Sequence, residues 1–240
     1  MSSPESPLNV VDVGPSRWAI VRKLQERTNI LSPEDVSNGL GPAYVTEKFL
    51  CHPMCSSNTL AFMRVYKQAP IAGTEFKAAS SRATQAVTSY EPTELTTLKS
   101  LREKGCDLVP RLLGYQCDQQ DEDDTVPGGF ITYVIWEKVP GEPLDMEKFW
   151  GYSFSQREEI RHKFRKVYEK VEACGYCLCP GIENIIYHRP TQMIPFRTQG
   201  TQWSDRIYVS YDLVRPPTSM DQYFPITSGD LQYDDNGWRW

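Results

Sequence analysis

Two apolar runs, Ala43 to Leu50 and Thr59 to Tyr66, are separated by His52-Pro53 and Ser56-Ser57-Asn58, a pattern that predicts a pair of strands joined by a loop. Before them, Trp18, Val21 and Leu24 recur at helical spacing and predict a short amphipathic helix over 18–27, preceded by a Pro- and Ser-rich arm over 1–15. Ser32-Pro33-Glu34-Asp35 is a helix-start or turn signal, and Asn38-Gly39-Leu40-Gly41-Pro42 is a turn. After a polar, Ala/Ser-rich stretch over 73–89, Pro92 opens a helix with Leu95, Leu98 and Leu101 three apart, and Gly105 closes it. Val109 to Tyr115 reads as a bend into a strand, and Phe130 to Glu137 as another, with the acidic tract 118–124 a solvated hairpin loop between them.

The clearest helix is Ser155 to Cys174. Ser155 and Glu158 fit a capping box, Ile160, Phe164, Val167 and Val171 form an apolar stripe, and Gly175 ends it. Asn184 to Tyr187 and Arg206 to Tyr211 read as short strands around a Pro/Gln/Thr-rich loop over 188–204, and an aromatic tail follows. No internal repeat is visible.

Composition narrows the class. With 240 residues, 40% of them hydrophobic, the chain can bury a core as one domain or two small lobes. A formal net charge of −5 argues against nucleic acid or an anionic membrane as the main partner. The N-terminus lacks the basic and apolar regions of a signal peptide, and no run approaches the roughly 20 apolar residues of a membrane span. Seven cysteines without a secretory signal read as reduced thiols in a cytoplasmic or nuclear protein.

The candidate chemistry lies near the C-terminus. Asn184 is on a loop entering one predicted strand, and Asp212 ends the next. An amide and a carboxylate so placed are how kinase-type phosphotransferases hold Mg²⁺ against nucleotide phosphates. The position five residues before Asn184, where such enzymes carry the aspartate that orients the substrate hydroxyl, is Cys179. A thiol, with a reference pKa of about 8.5, does not replace a carboxylate charged throughout the physiological range. Glu183 is the nearby carboxylate, but in an extended segment it would point away from Asn184.

Taken in order, Ala61-Phe62-Met63-Arg64, Glu94-Leu95 with Leu98 and Leu101, Val109-Pro110-Arg111-Leu112-Leu113-Gly114-Tyr115, Val139-Pro140-Gly141-Glu142-Pro143-Leu144, Asn184-Ile185-Ile186-Tyr187 and Tyr211-Asp212-Leu213 resemble the protein-kinase-like superfamily. The resemblance is to its aminoglycoside phosphotransferase-like and choline-kinase-like branch, and in particular to short kinase-like proteins of fungi. It implies an α+β, two-lobed fold: an N-terminal arm and short helix over 1–42, a small lobe of antiparallel sheet plus one helix over 43–139, and a reduced helical lobe over 140–240.

The resemblance also implies roles. Arg64 stands where the family has a lysine on the nucleotide phosphates, and Glu94 matches the carboxylate that pairs with that lysine. Adenine would bond backbone groups near Trp136 to Val139, which makes Glu137 and Val139 the remaining nucleotide-binding candidates. Asn184 and Asp212 would hold Mg²⁺. With Cys179 at the base position, the expectation is a pseudokinase-like protein with no intact catalytic residue, non-catalytic or barely catalytic, binding ATP and Mg²⁺ weakly or not at all and acting through an unidentified protein or small-molecule partner. The alternatives are an active ATP-dependent phosphotransferase with an unorthodox base, or a kinase-like cleft adapted to another small-molecule reaction in fungal specialised metabolism.

Overall fold

Gly14 sits at φ +57° and, with Pro15, forms a two-residue link that sets Val13 opposite Ser16. A positive φ at the first linking position matches the twist of an antiparallel hairpin, which is why glycine stands there. The hairpin starts the first sheet of a computed structural model, which describes residues 9–187, 192–193, 196–197, 204–216, 234 and 237–240. The chain divides into two compact units, Met1–Ser100 with Arg111–Lys138 and Leu101–Pro110 with Val139–Trp240.

In the first unit, β1 (Asn9–Val13), β2 (Ser16–Asn29), β3 (Tyr44–Pro53), β4 (Ala61–Gln68), β5 (Leu112–Gln119) and β6 (Phe130–Glu137) make one antiparallel sheet, ordered β1-β2-β3-β4-β6-β5. The sheet curls until β1 reaches β5, where the Gly14 amide donates to Gln116 Oε1 at 2.7 Å. Val13, Trp18, Cys51, Ala61, Met63, Val65 and Ile135 pack together on one of its faces. Met63 and Ile135 are fully inaccessible, and burial of each contributes about 2 kcal/mol. Pairs on β4 alternate faces. Phe62, Arg64 and Tyr66 therefore lie on the opposite side, where the first turns of α3 (Thr93–Glu103) bury Leu95 and Leu98.

Three expectations for this unit need correction. Residues 16–29 are a strand, not a helix over 18–27, and Asn9–Val13 pairs with it, so this part of the segment expected as an arm joins the sheet, while residues 1–8 lie outside the described residues. Trp18, Ala19 and Ile20 are buried in succession because the curl covers both faces there, and Lys23–Arg27 is exposed throughout, so no period of two is imposed on the sequence. The polar stretch over 73–89 holds a short helix, α2 (Ala79–Ala83), and is tied to the sheet by buried Gln68, which donates to Gln85 O at 2.7 Å and accepts from Val87 N at 2.9 Å. The acidic tract is only partly a solvated loop, since Asp124 pairs with Lys67. The Ser32 start signal does open a helix, α1 (Pro33–Ser37), through a reciprocal cap with Asp35.

The second unit is built on α5 (Phe154–Ala173). Its capping box is Ser153 with Gln156, two residues earlier than the sequence signal at Ser155 and Glu158. Ile160, Phe164, Val167 and Val171 join Leu101, Leu144, Phe149, Trp150, Ile182, Ile185, Tyr208, Tyr211 and Leu213 in one core. The helix α4 (Met146–Gly151), capped by Asp145, supplies Phe149 and Trp150. Around this core run β7 (Glu142–Pro143), β9 (Ile186–Tyr187) and β10 (Gln192–Met193) in the order β10-β9-β7, and the pair β8 (Cys177–Leu178) with β11 (Phe196–Arg197). The last two strands fall within the stretch expected as a loop; most of that stretch and of the aromatic tail lies outside the described residues. The expected strand over 206–211 is a helix, α6 (Arg206–Ser210). Tyr208 and Tyr211, one helical turn apart, both lie against Phe164, and that packing outweighs the β-branched alternation of Ile207 and Val209.

Candidate functional site

The sheet unit holds the first constellation. Because Lys48 and Val134 flank Arg64 in register on the neighbouring strands, Lys48 and Arg64 share the α3 side of the sheet. Arg64 Nη1 donates to Glu94 Oε1 at 2.8 Å, and the Tyr66 hydroxyl donates to Glu94 Oε2 at 2.8 Å. Burial works against the Arg64 charge, but Glu94 and Tyr66 outweigh it and hold the guanidinium above the ordinary arginine range. Burial also raises the Tyr66 phenol, with Glu94 adding to it, so Tyr66 stays a neutral donor. Beneath the pair, Trp136 lies 5.2 Å from the Arg64 guanidinium and 5.7 Å from the Lys48 ammonium, and Phe62 lies 4.2 Å from Lys48.

Glu137 and Val139 take no part in that cluster. Glu137 accepts from Arg111 Nε at 3.0 Å and Nη2 at 3.3 Å, bonds that lower its carboxyl, and its own amide donates to Arg111 O. Val139 is buried.

The second constellation is in the loop-rich part of the other unit. Residues Ile182–Asn184 form a single 3-10 turn, not an extended segment, and the Gly181 amide donates to Ser210 O at 2.9 Å, which ties this turn to the end of α6. Gly181 has φ +109°, and a Cβ there would sit 2.4 Å from Glu183 Oε1, so only glycine lets the Glu183 side chain fold back. The Asn184 amide nitrogen donates to Pro180 O at 2.7 Å, and Cys179 beside it is half-buried.

Asp212 occupies the turn after α6. Leu213 N donates to Tyr208 O at 2.9 Å and Asp212 N to Val209 O at 3.1 Å, the paired bonds of a Schellman motif whose left-handed residue is Asp212, at φ 56°. Glycine is the default there, and Asp212 is the one non-glycine residue with positive φ among those described. Burial raises its carboxyl above the ordinary range; Arg215 opposes that shift and Glu183 adds to it. Glu183 thus bears electrostatically on Asp212.

Two contributors escaped the sequence reading. Arg161, on the buried face of α5, donates from Nη1 to Leu213 O at 2.9 Å and so fixes the turn that presents Asp212. Its place in the stripe, between Ile160 and Phe164, was the available signal. Lys48 had none, because its neighbours follow only from strand register. Among the described residues no cluster of three His, Cys, Asp or Glu side chains is placed to hold a metal, and no helix is long and apolar enough to cross a membrane.

No protein-family model matches the chain, and no curated protein matches it. Among solved structures, it is similar to the kinase PK-1 of the Cydia pomonella Granulovirus, with a TM-score of 0.42 and 10% identity over 74% of this chain and 49% of that one. The chain thus spans about half the length of that kinase.

Proposed function

We propose that the protein is a pseudokinase-type module on a kinase-like fold, which binds a nucleotide with Mg²⁺, transfers phosphate poorly or not at all, and acts through a partner. The observation that carries the reading is the 2.8 Å pair between Arg64 of β4 and Glu94 of α3. A basic residue on a central strand, held by a glutamate of the following helix, is how kinases set the group that meets the nucleotide phosphates. The loss of catalysis rests on Cys179.

The residues present suit a hard cation. Asn184 and Asp212 offer oxygen donors of the kind Mg²⁺ takes, and the Asp212 carboxylate sits half-buried under the added charge of Glu183, which a divalent ion would relieve. With the amide nitrogen of Asn184 engaged by Pro180, its carbonyl oxygen is the atom suited to a cation.

Thermal melting with ATP, with and without Mg²⁺, tests the reading. At 100 times the dissociation constant, binding stabilises by about 2.7 kcal/mol. The expected result is a Mg²⁺-dependent rise that Asp212→Ala removes, without accompanying phosphate transfer. Robust transfer abolished by Asp212→Ala would contradict the pseudokinase assignment. It would favour the second reading, an active phosphotransferase with Glu183 as its base, for which the influence of Glu183 on Asp212 speaks; Glu183→Gln would then abolish turnover while sparing the thermal shift.

A further inference from the structure

Lys48 belongs to none of the motifs that carry the functional reading. It stands directly across from Arg64, so two like charges face one another on adjacent strands, an arrangement that costs stability unless an anion intervenes. The carboxylate at hand is Glu94, and both its oxygens are already taken, by Arg64 and by Tyr66. Among the described residues, the close contacts of the Lys48 ammonium are with the rings of Phe62 and Trp136. The cluster therefore holds two cations against one anion on a half-buried face.

We infer that Lys48 and Arg64 form a phosphate-binding pair, with Lys48 supplying the positive charge that Arg64 has committed to Glu94. A phosphate suits the geometry. It spreads negative charge over several oxygens, so it accepts from an ammonium and from the guanidinium N–H groups that Glu94 does not use. The Phe62 and Trp136 rings hold the lysine ammonium in place before the anion arrives, which lowers the ordering cost of binding. Burial, then the charges of Arg64 and Arg27, pull the Lys48 ammonium below the ordinary lysine range, with Glu94 alone opposing, and a bound dianion would reverse that balance. The inference rests on the same sheet site as the function proposed above and adds a residue to it.

The test is calorimetric titration of the full chain with pyrophosphate and, separately, with ATP, both without Mg²⁺. Pyrophosphate binding is expected, weakened about tenfold or more by Lys48→Gln and no more than about threefold by Lys48→Arg, which keeps the charge. Tighter binding of ATP than of pyrophosphate would identify a nucleotide as the phosphate source; equal binding would identify a free phosphate. Lys48→Met, which keeps an unbranched side chain of similar length without the charge, replaces Lys48→Gln should that variant not fold. Undetectable pyrophosphate and ATP binding, or full affinity in both uncharged variants, overturns the inference. Since no Mg²⁺ is present, pyrophosphate silence beside a positive Mg²⁺–ATP melt overturns this pair alone, and the reverse pattern overturns only the metal-dependent reading.

Discussion

The two constellations carry opposite surpluses of charge. On the sheet, Lys48 and Arg64 face one carboxylate, Glu94, and burial pushes the lysine toward losing its proton. In the loop unit, burial pushes Asp212 toward keeping its proton, with the charge of Arg215 opposing and that of Glu183 adding. Each half-buried group is under-neutralised in the sense that a counter-ion would correct. The supports differ as well. The sheet cluster is held by strand register and a helix, so its geometry derives from long-range pairing. The loop cluster is held by local turns, Gly181 and the Schellman bond at Leu213, with Arg161 as its support from α5.

The largest effect expected is on the frame of the loop cluster and not on the cluster itself. Phe149 is fully buried in the core that also holds Leu213 and Ile182. Phe149→Ala should cost about 3–5 kcal/mol in urea unfolding. A cost under 1 kcal/mol would mean that this core is not packed as described, and the contrast between a framed sheet site and a framed loop site would fail.

Next in size is Glu94. Its pair with Arg64 is about a quarter exposed, 26% and 23% for the two side chains, so solvent screens it only in part. Glu94→Gln leaves two facing cations without an anion and should cost about 2–3 kcal/mol. Tyr66→Phe, which removes one hydrogen bond, should cost about 1 kcal/mol. If the cationic surplus is the reason, Lys48→Met in the Glu94→Gln background should recover part of the loss, a coupling that a double-mutant cycle measures. Additive costs would mean that Lys48 and Glu94 do not share a field.

How much of this was legible beforehand depended on the range of the interactions. The strands around Arg64 and Phe130 to Glu137 and the helices opened by Pro92 and near Ser155 carry local signals, a period and a cap, and they form close to where the sequence places them. Arg64 and Glu94 could be matched from order along the chain, and they do meet. Lys48 could not be, since its position opposite Arg64 depends on the register of β3 on β4. The β2 strand was misread because its buried residues are consecutive where the sheet curls, and its far half is exposed on both faces. At α6, five residues are too few for period to decide, and the packing of Tyr208 and Tyr211 on Phe164 does. The Ser153 cap lost to Ser155 in the sequence because both precede a suitable partner by three residues. Ser153→Ala should cost about 1 kcal/mol and Ser155→Ala a few tenths, a direct check on which serine begins the helix.

The smallest effect has the opposite sign. Asp212 holds a left-handed conformation that glycine adopts freely, so Asp212→Gly should stabilise the protein by about 0.5–1 kcal/mol while removing Mg²⁺ binding. Asp212→Asn separates charge from conformation. Because burial raises the folded-state carboxyl pKa, the native protein holds this proton more tightly than the unfolded chain does. The contribution of Asp212 to stability is therefore greatest below the unfolded-state value of about 3.9 and declines as pH rises through the higher folded-state value. Replacing the carboxyl with an amide removes that decline, so the asparagine variant should gain on the wild type between pH 4 and pH 7 in parallel melts, and Mg²⁺ should close the gap by stabilising the wild type alone. A gap that does not change with pH would show that Asp212 carries no unrelieved charge, and the loop constellation would lose its claim to be the anionic counterpart of the sheet.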